Sequence, residues 1–364
     1  MRVRLLGLRA QLSPPAPELC QPMSLPYTRG EIKDRAREWV GLCNVTLPSF
    51  DESFEGLNEE GIRHDVRLAH RYGYWGTLVA SECGTSVEEY IRFLDICADE
   101  APADFRIVTH LSFDTVEQEL EVARAAEAVG AEAGLLSYPP SFRPRSAGDI
   151  VEHTRYVAER TDLALILFGV ATWGFKPLHP AGFPFAALEE MVRFETAAAL
   201  KYEGGGAALF SALDEAHRRC GEHVVVENPM EMQIPAQISN YGTRWFGTSG
   251  YESAGDRPAR VFEAASAGRL DEAMEIFWSY HPAREAKGQF HASFAGASLI
   301  HRVGWKYLGW LQGFNGGLLR MPQMRLQPGQ MKALRAGAVA SGFDVPEDDS
   351  GFYAGRHPAR PVRA

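Results

Sequence analysis

Residues 198–206 read AALKYEGGG. A charged Lys201 ends the apolar run Ala197–Leu200, and three glycines, Gly204–Gly206, follow. Apolar runs of this kind become buried strands, where an ammonium is costly unless paired or neutralised. An amine in a partly apolar pocket is favoured in its neutral form, which attacks carbonyl carbon to give an imine. The competing reading is an ion pair with Glu203 or Glu82 that serves only structure. The glycines could cradle a phosphate, but a strand-to-helix turn at positive φ is the commoner use of such a run.

The elements that position this lysine form a rhythm. Eight β-rich runs occupy 40–47, 76–81, 105–110, 133–138, 163–170, 197–201, 222–227 and 243–248, with loops and helical patterns between them. Within 86–98, Val87, Ile91, Leu94 and Cys97 keep helical spacing, and Ser86 with Glu89 offers a capping box. In 114–129, Asp114 and Glu117 supply a similar start, and Gly130 a stop. Eight such repeats predict an α/β fold, a (β/α)8 TIM barrel, over 36–256. A doubly wound sheet is the weaker alternative, because no GxGxxG follows an early strand. Residues 257–340 carry helical patterns without strands and read as the last barrel helix plus a C-terminal helical extension. Residues 1–35 read as a partly disordered extension, with Met23 resembling a natural start, and 341–364 as a flexible tail.

In a barrel, side chains at strand C-termini face the site. The candidates are Thr46, Ser81, Glu82, His110, Tyr138, Phe168, Lys201, Glu203, Glu227, Asn228, Thr248 and Ser249, and Lys201 is the one lysine or arginine among them. His281, His291 and His301 lack metal-site spacing, so no metal or cofactor is expected. The stripe Trp305, Tyr307, Trp310 and Phe314 reads as core or subunit interface. The chain has 364 residues, 45% hydrophobic and 23% charged, with a net charge of −10, which argues against nucleic acid or an anionic membrane as partner. No apolar run approaches a membrane span. Five scattered cysteines without a CxxC pair suit a reducing cytoplasm.

In order and spacing, residues 38–335 resemble the dihydrodipicolinate synthase / N-acetylneuraminate lyase family of pyruvate-handling barrels. AALKYEGG resembles the family's strand-six lysine segment, and GTLVASECGTSVEEY its strand-two Gly-Thr-Thr-Gly-Glu stretch. ARAAEAVGAEAGLLSYPPSF, AGRLDEAMEIFW and GGLLRMPQMRL resemble its strand-four approach and C-terminal segments. The resemblance implies that Lys201 is the Schiff-base lysine and that Glu82, Cys83 and Gly84 occupy the loop binding the keto-acid carboxylate through backbone amides. It also implies a homotetramer. A Glu82 carboxylate would repel that substrate unless protonated or turned away.

The chain departs from the family at strand five, where Phe168 replaces the proton-relaying tyrosine. It departs again at Trp173, in the segment where true dihydrodipicolinate synthases carry a substrate-binding arginine. These changes imply a 2-oxo acid joined to, or released from, an apolar or aromatic aldehyde rather than lysine biosynthesis. The expected catalytic residues are Lys201, His110 and Glu82, the latter two as candidate proton carriers; Tyr138 and Tyr202 are further hydroxyls, though strand alternation points Tyr202, next to Lys201, away from the barrel interior. Thr46, Ser81, Cys83, Gly84, Tyr138, Phe168, Trp173, Glu203, Asn228 and Thr248 are expected to bind substrate. Two alternatives stand: a sugar-acid hydro-lyase, and a barrel that binds a small molecule without turning it over.

Overall fold

The computed structural model describes residues 25–294 and 300–359. Its parallel strands are β1 (Gly41–Thr46), β2 (Gly76–Val79), β3 (Arg106–Leu111), β4 (Ala133–Leu136), β5 (Leu165–Val170), β6 (Ala197–Glu203), β7 (Val225–Glu227) and β8 (Trp245–Gly247). Each coincides, within three residues at either end, with one of the eight runs read from the sequence. They pair in the order β7-β6-β5-β4-β3-β2-β1-β8, and β7 lies beside β8, so the sheet curls into a nearly closed barrel. Most connections run through helices packed outside it: α2 (Glu59–Arg71), α3 (Val87–Glu100), α4 (Val116–Ala128), α5 (Ala147–Ala158), α6 (Phe185–Met191), α7 (Leu209–Cys220) and α8 (Ile234–Tyr241), with α9 (Arg257–Ser266) closing the cycle.

Register decides what faces inward. Side chains of paired residues on neighbouring strands share one face. Val45 pairs with Leu78 and Leu78 with Val108; Leu135 pairs with Ile166 and Ile166 with Ala199. These small and branched residues fill the barrel. One layer nearer the strand ends, Phe168 pairs with Lys201 and Lys201 with Glu227. The opposite mouth is plugged by Trp39, Trp75 and Trp245, whose rings lie 5.0–5.7 Å apart. Gly41 sits at φ +132, and a Cβ there would come within 2.7 Å of the Trp75 Cβ.

Helix starts follow their caps. Ser86 and Glu89 form the predicted box at α3. At α4 the box is Thr115 with Gln118, one residue later than Asp114 and Glu117, because the threonine hydroxyl reaches the third helical amide. Before the barrel, α1 (Ile32–Arg37) is held at the plugged end, where the Tyr27 hydroxyl donates to Glu132 O (2.9 Å) and Arg29 donates to Ala158 O (2.6 Å). The extension predicted over 1–35 is therefore packed from about Tyr27; its residues 1–24 lie outside the described residues.

Past α9 come α10 (Leu270–Ser279), α11 (His281–Ala292), α12 (Arg302–Leu311), α13 (Pro328–Ala340) and α14 (Ser350–Ala354). The tail predicted to be loose after residue 340 is tied down as far as His357. Phe352 is fully buried against Tyr307 and Trp310, and Asn58 Nδ2 donates to His357 O (2.5 Å). One buried aromatic in an otherwise polar segment outweighs its composition.

Candidate active site

The strand C-termini open into a cleft of about 1370 Å³. Lys201 stands in its floor with only 6% of its side chain exposed. Its Nζ donates to the Thr248 carbonyl (2.8 Å), lies 3.4 Å from Thr248 Oγ1 and 3.2 Å from Glu203 Oε1, and sits 4.3 Å above the Phe168 ring centre. Strand alternation explains the set: Lys201 and Glu203 are two residues apart on β6, while Tyr202 between them faces outward and is fully buried. Glu203, expected to bind substrate, is the carboxylate nearest the amine.

Glu82 does not pair with Lys201. It accepts from Arg302 Nη2 (3.0 Å) and from the Ser112 hydroxyl (2.7 Å). Desolvation in the mouth opposes its charge, but the His110 ring, Arg302 and Ser112 outweigh that and hold the carboxyl down at about 2. At neutral pH, where His110 is uncharged, Arg302 and Ser112 still favour the carboxylate form. So Glu82 is an ionised partner of Arg302, neither protonated nor suited to carrying protons.

His110 is buried, and desolvation lowers its pKa to about 4 against the pull of Glu82. Ser81 Oγ gives its hydrogen to Ser112 O (3.0 Å), so it accepts from His110 Nδ1 (3.0 Å), leaving Nε2 to accept from the Ser137 hydroxyl at 3.2 Å. The ring is neutral and both nitrogens are engaged. The Tyr138 ring lines the cleft, but its hydroxyl is bound to Thr154 Oγ1 (3.0 Å) behind β4.

The other predicted residues divide. Gly84, Phe168, Trp173 and Thr248 line the cleft with Lys201 and Glu203. Thr46 turns its hydroxyl to Thr77 (2.8 Å), and Ser81 serves His110. Cys83 is fully buried, its thiol pushed up to about 12 by desolvation. Asn228 braces the chain by donating to Tyr202 O (2.8 Å) and accepting from Met230 N. These four support the site from behind. Among the described residues, no protein acceptor engages the amides of Glu82, Cys83 and Gly84.

Two residues escaped the sequence reading of the site. Glu227 was a strand-end candidate without a role. It pairs with Lys201 across the barrel wall and is fully buried, and desolvation drives its pKa well above the usual range. Arg302 comes from α12, 220 residues beyond Glu82. A faint signal existed, because an arginine in the first turn of a helix opposes the macrodipole and needs a specific partner.

Residues 60–285 match the model of the dihydrodipicolinate synthetase family. A 4-hydroxy-tetrahydrodipicolinate synthase of Methanopyrus kandleri is 28% identical over 134 residues, 36% of this chain and 44% of that protein. An N-acetylneuraminate lyase of Clostridium perfringens is 22% identical over 241 residues, 65% of this chain and 80% of that one. The chain thus spans less than half the length of the archaeal synthases it matches. A crystal structure of dihydrodipicolinate synthase from Oceanobacillus iheyensis superposes with a TM-score of 0.71 at 14% identity, covering 86% of this chain and all of that one, which supports the same barrel. With the family model matching residues 60–285 of 364, well over half, this chain belongs to the dihydrodipicolinate synthetase family.

Proposed function

We propose that the protein is a class I aldolase or lyase in which Lys201 forms an imine with pyruvate or a related 2-oxo acid. The observation that carries this reading is the buried Lys201 amine, open to the cleft at the end of β6 with a carboxylate 3.2 Å away. Glu203 takes the ammonium proton, and the freed amine attacks the keto carbon. Loss of water leaves the imine. Once protonated, the imine accepts the electron pair released when a carbon–carbon bond at the adjacent carbon breaks, or when a proton leaves that carbon. The Thr248 carbonyl aims Nζ, and Phe168 beneath it supplies a face but no hydroxyl. Glu203 therefore fills the proton-carrying role.

The partner aldehyde fits an apolar or aromatic class. Phe142, Phe168, Trp173 and Phe175 wall one side of the cleft. That wall argues against dihydrodipicolinate synthesis. A homotetramer is proposed alongside, to be checked by sedimentation.

Borohydride reduction with pyruvate, followed by mass spectrometry of the Lys201 peptide, tests the reading. The expected result is a reduced adduct on Lys201 and none in Lys201→Ala. An unmodified Lys201, with activity intact in Lys201→Ala, would sink it, and ligand binding without turnover would favour a repurposed barrel.

A further inference from the structure

Among the described residues, three guanidinium or ammonium groups line the cleft, those of Arg143, Lys201 and Arg302. Arg143 is exposed and turned to the Pro140 and Phe142 carbonyls. Arg302 is different: the residue is only 5% exposed, and its buried Nε has no hydrogen-bond partner among the described residues. The Trp305 ring lies 4.7 Å from its guanidinium carbon and fixes the plane. Its single ion-pair partner among the described residues is Glu82, whose side chain is 39% exposed. A guanidinium held rigidly, unsaturated, and bridged to a solvent-facing carboxylate is built to take another carboxylate.

The surroundings agree. Glu82 adopts φ +61, an uncommon conformation for a residue with a Cβ, so the chain sustains strain to present this carboxylate. The amides of residues 82–84 lack protein acceptors among the described residues. The C-terminal segment closes over the same loop: Gln323 Nε2 donates to Glu82 O (3.0 Å), and a Cβ on Gly84 would meet Arg320 Cβ at 2.6 Å. His110 feels the charges of both Arg302 and Lys201.

We propose that Arg302, delivered by the C-terminal helices, binds the carboxylate of the 2-oxo acid substrate, and that Glu82 occupies this place until the substrate displaces it. This rests on the imine reading for the identity of the substrate, though carboxylate binding itself does not need the imine. The arrangement makes the C-terminal extension part of the substrate site, and selects carbonyl compounds bearing a carboxylate next to the carbonyl over neutral ketones.

The test separates the two readings by using a carboxylate that cannot form an imine. Calorimetric titration with L- and D-lactate is run on the full chain, on Arg302→Gln, Arg302→Lys and Glu82→Gln, each with its thermal midpoint. Arg302→Gln should weaken lactate about tenfold to a hundredfold, the worth of a charge-assisted pair. Arg302→Lys should retain part of the affinity. Glu82→Gln, which removes the competing carboxylate, should tighten lactate by up to about fivefold. A purely structural staple predicts lower midpoints in Arg302→Gln and Glu82→Gln and no tightening. Lactate that fails to bind the native chain, or binds Arg302→Gln equally well, overturns the proposal. If Arg302→Gln does not fold, an unchanged or weakened affinity in Glu82→Gln overturns it. Borohydride trapping in parallel with pyruvate and with acetone reports the imine separately: trapping lost everywhere refutes the imine, whereas trapping retained without preference for pyruvate refutes the anchor.

Discussion

Replacing Glu203 by Gln keeps the shape at the end of β6 and removes the charge beside Lys201. At 3.2 Å and an effective dielectric of about 20, the pair attracts by about 5 kcal/mol. Desolvation of both groups offsets much of this, and the 23% exposure of Glu203 screens it further. The Thr248 carbonyl and the Phe168 ring remain to hold the ammonium. The net loss of stability is therefore about 2 kcal/mol, read as a lowered urea midpoint with an unchanged slope. The rate effect is larger, because the carboxylate is the nearest proton acceptor to the attacking amine. Imine formation should slow by about 10²–10⁴-fold, the usual worth of a positioned general base. Timed borohydride quenches with pyruvate, quantified on the Lys201 peptide, give that rate independently of any aldehyde. An unchanged rate accompanied by the stability loss would assign Glu203 to structure alone and refute the reasoning.

His110 makes stability depend on pH. Its folded pKa of about 4 lies below the unfolded 6.5, so the unfolded chain binds the extra proton between those values. Its share of stability, roughly 3 kcal/mol, should be lost as pH drops from 6.5 through 4, and His110→Asn should remove that share from urea melts while the shares of His217 and His291 remain. Gly84→Ala places a Cβ at φ +81 against Arg320 and Met321. It should cost about 2 kcal/mol and raise the pyruvate concentration needed for half-maximal trapping; an unaltered concentration would detach this loop from the site. Phe352→Ala should cost about 3–5 kcal/mol in chemical denaturation, and a cost near zero would mean that the tail contributes nothing to the core.

The barrel was legible because its signals are local. Each strand needs only a short apolar stretch, such as LALILFGV around β5, and each helix a spaced face and a cap, as Ser86 and Glu89 provide. Lys201 was legible for the same reason, as a charge at the end of such a run. The alternation rule also placed Tyr202 outside. The carboxylate roles were not legible. Alternation puts Glu203 on the lysine's face of β6, but nothing local shows that Glu82, the other candidate partner, is taken by a distant arginine.

By itself, the sequence determined eight buried strands and the lysine at the end of the sixth. These follow from hydrophobic periodicity and residue type, which act over a few residues. Only the tertiary structure decided that Glu203 rather than Glu82 pairs with the amine, that His110 is neutral, and that Arg302 closes on Glu82. Those outcomes depend on register, burial and long-range approach. Electrostatic partners are set by distance in space, and the chain brings residues 82 and 302 together only after the barrel has closed and α12 has packed across its mouth.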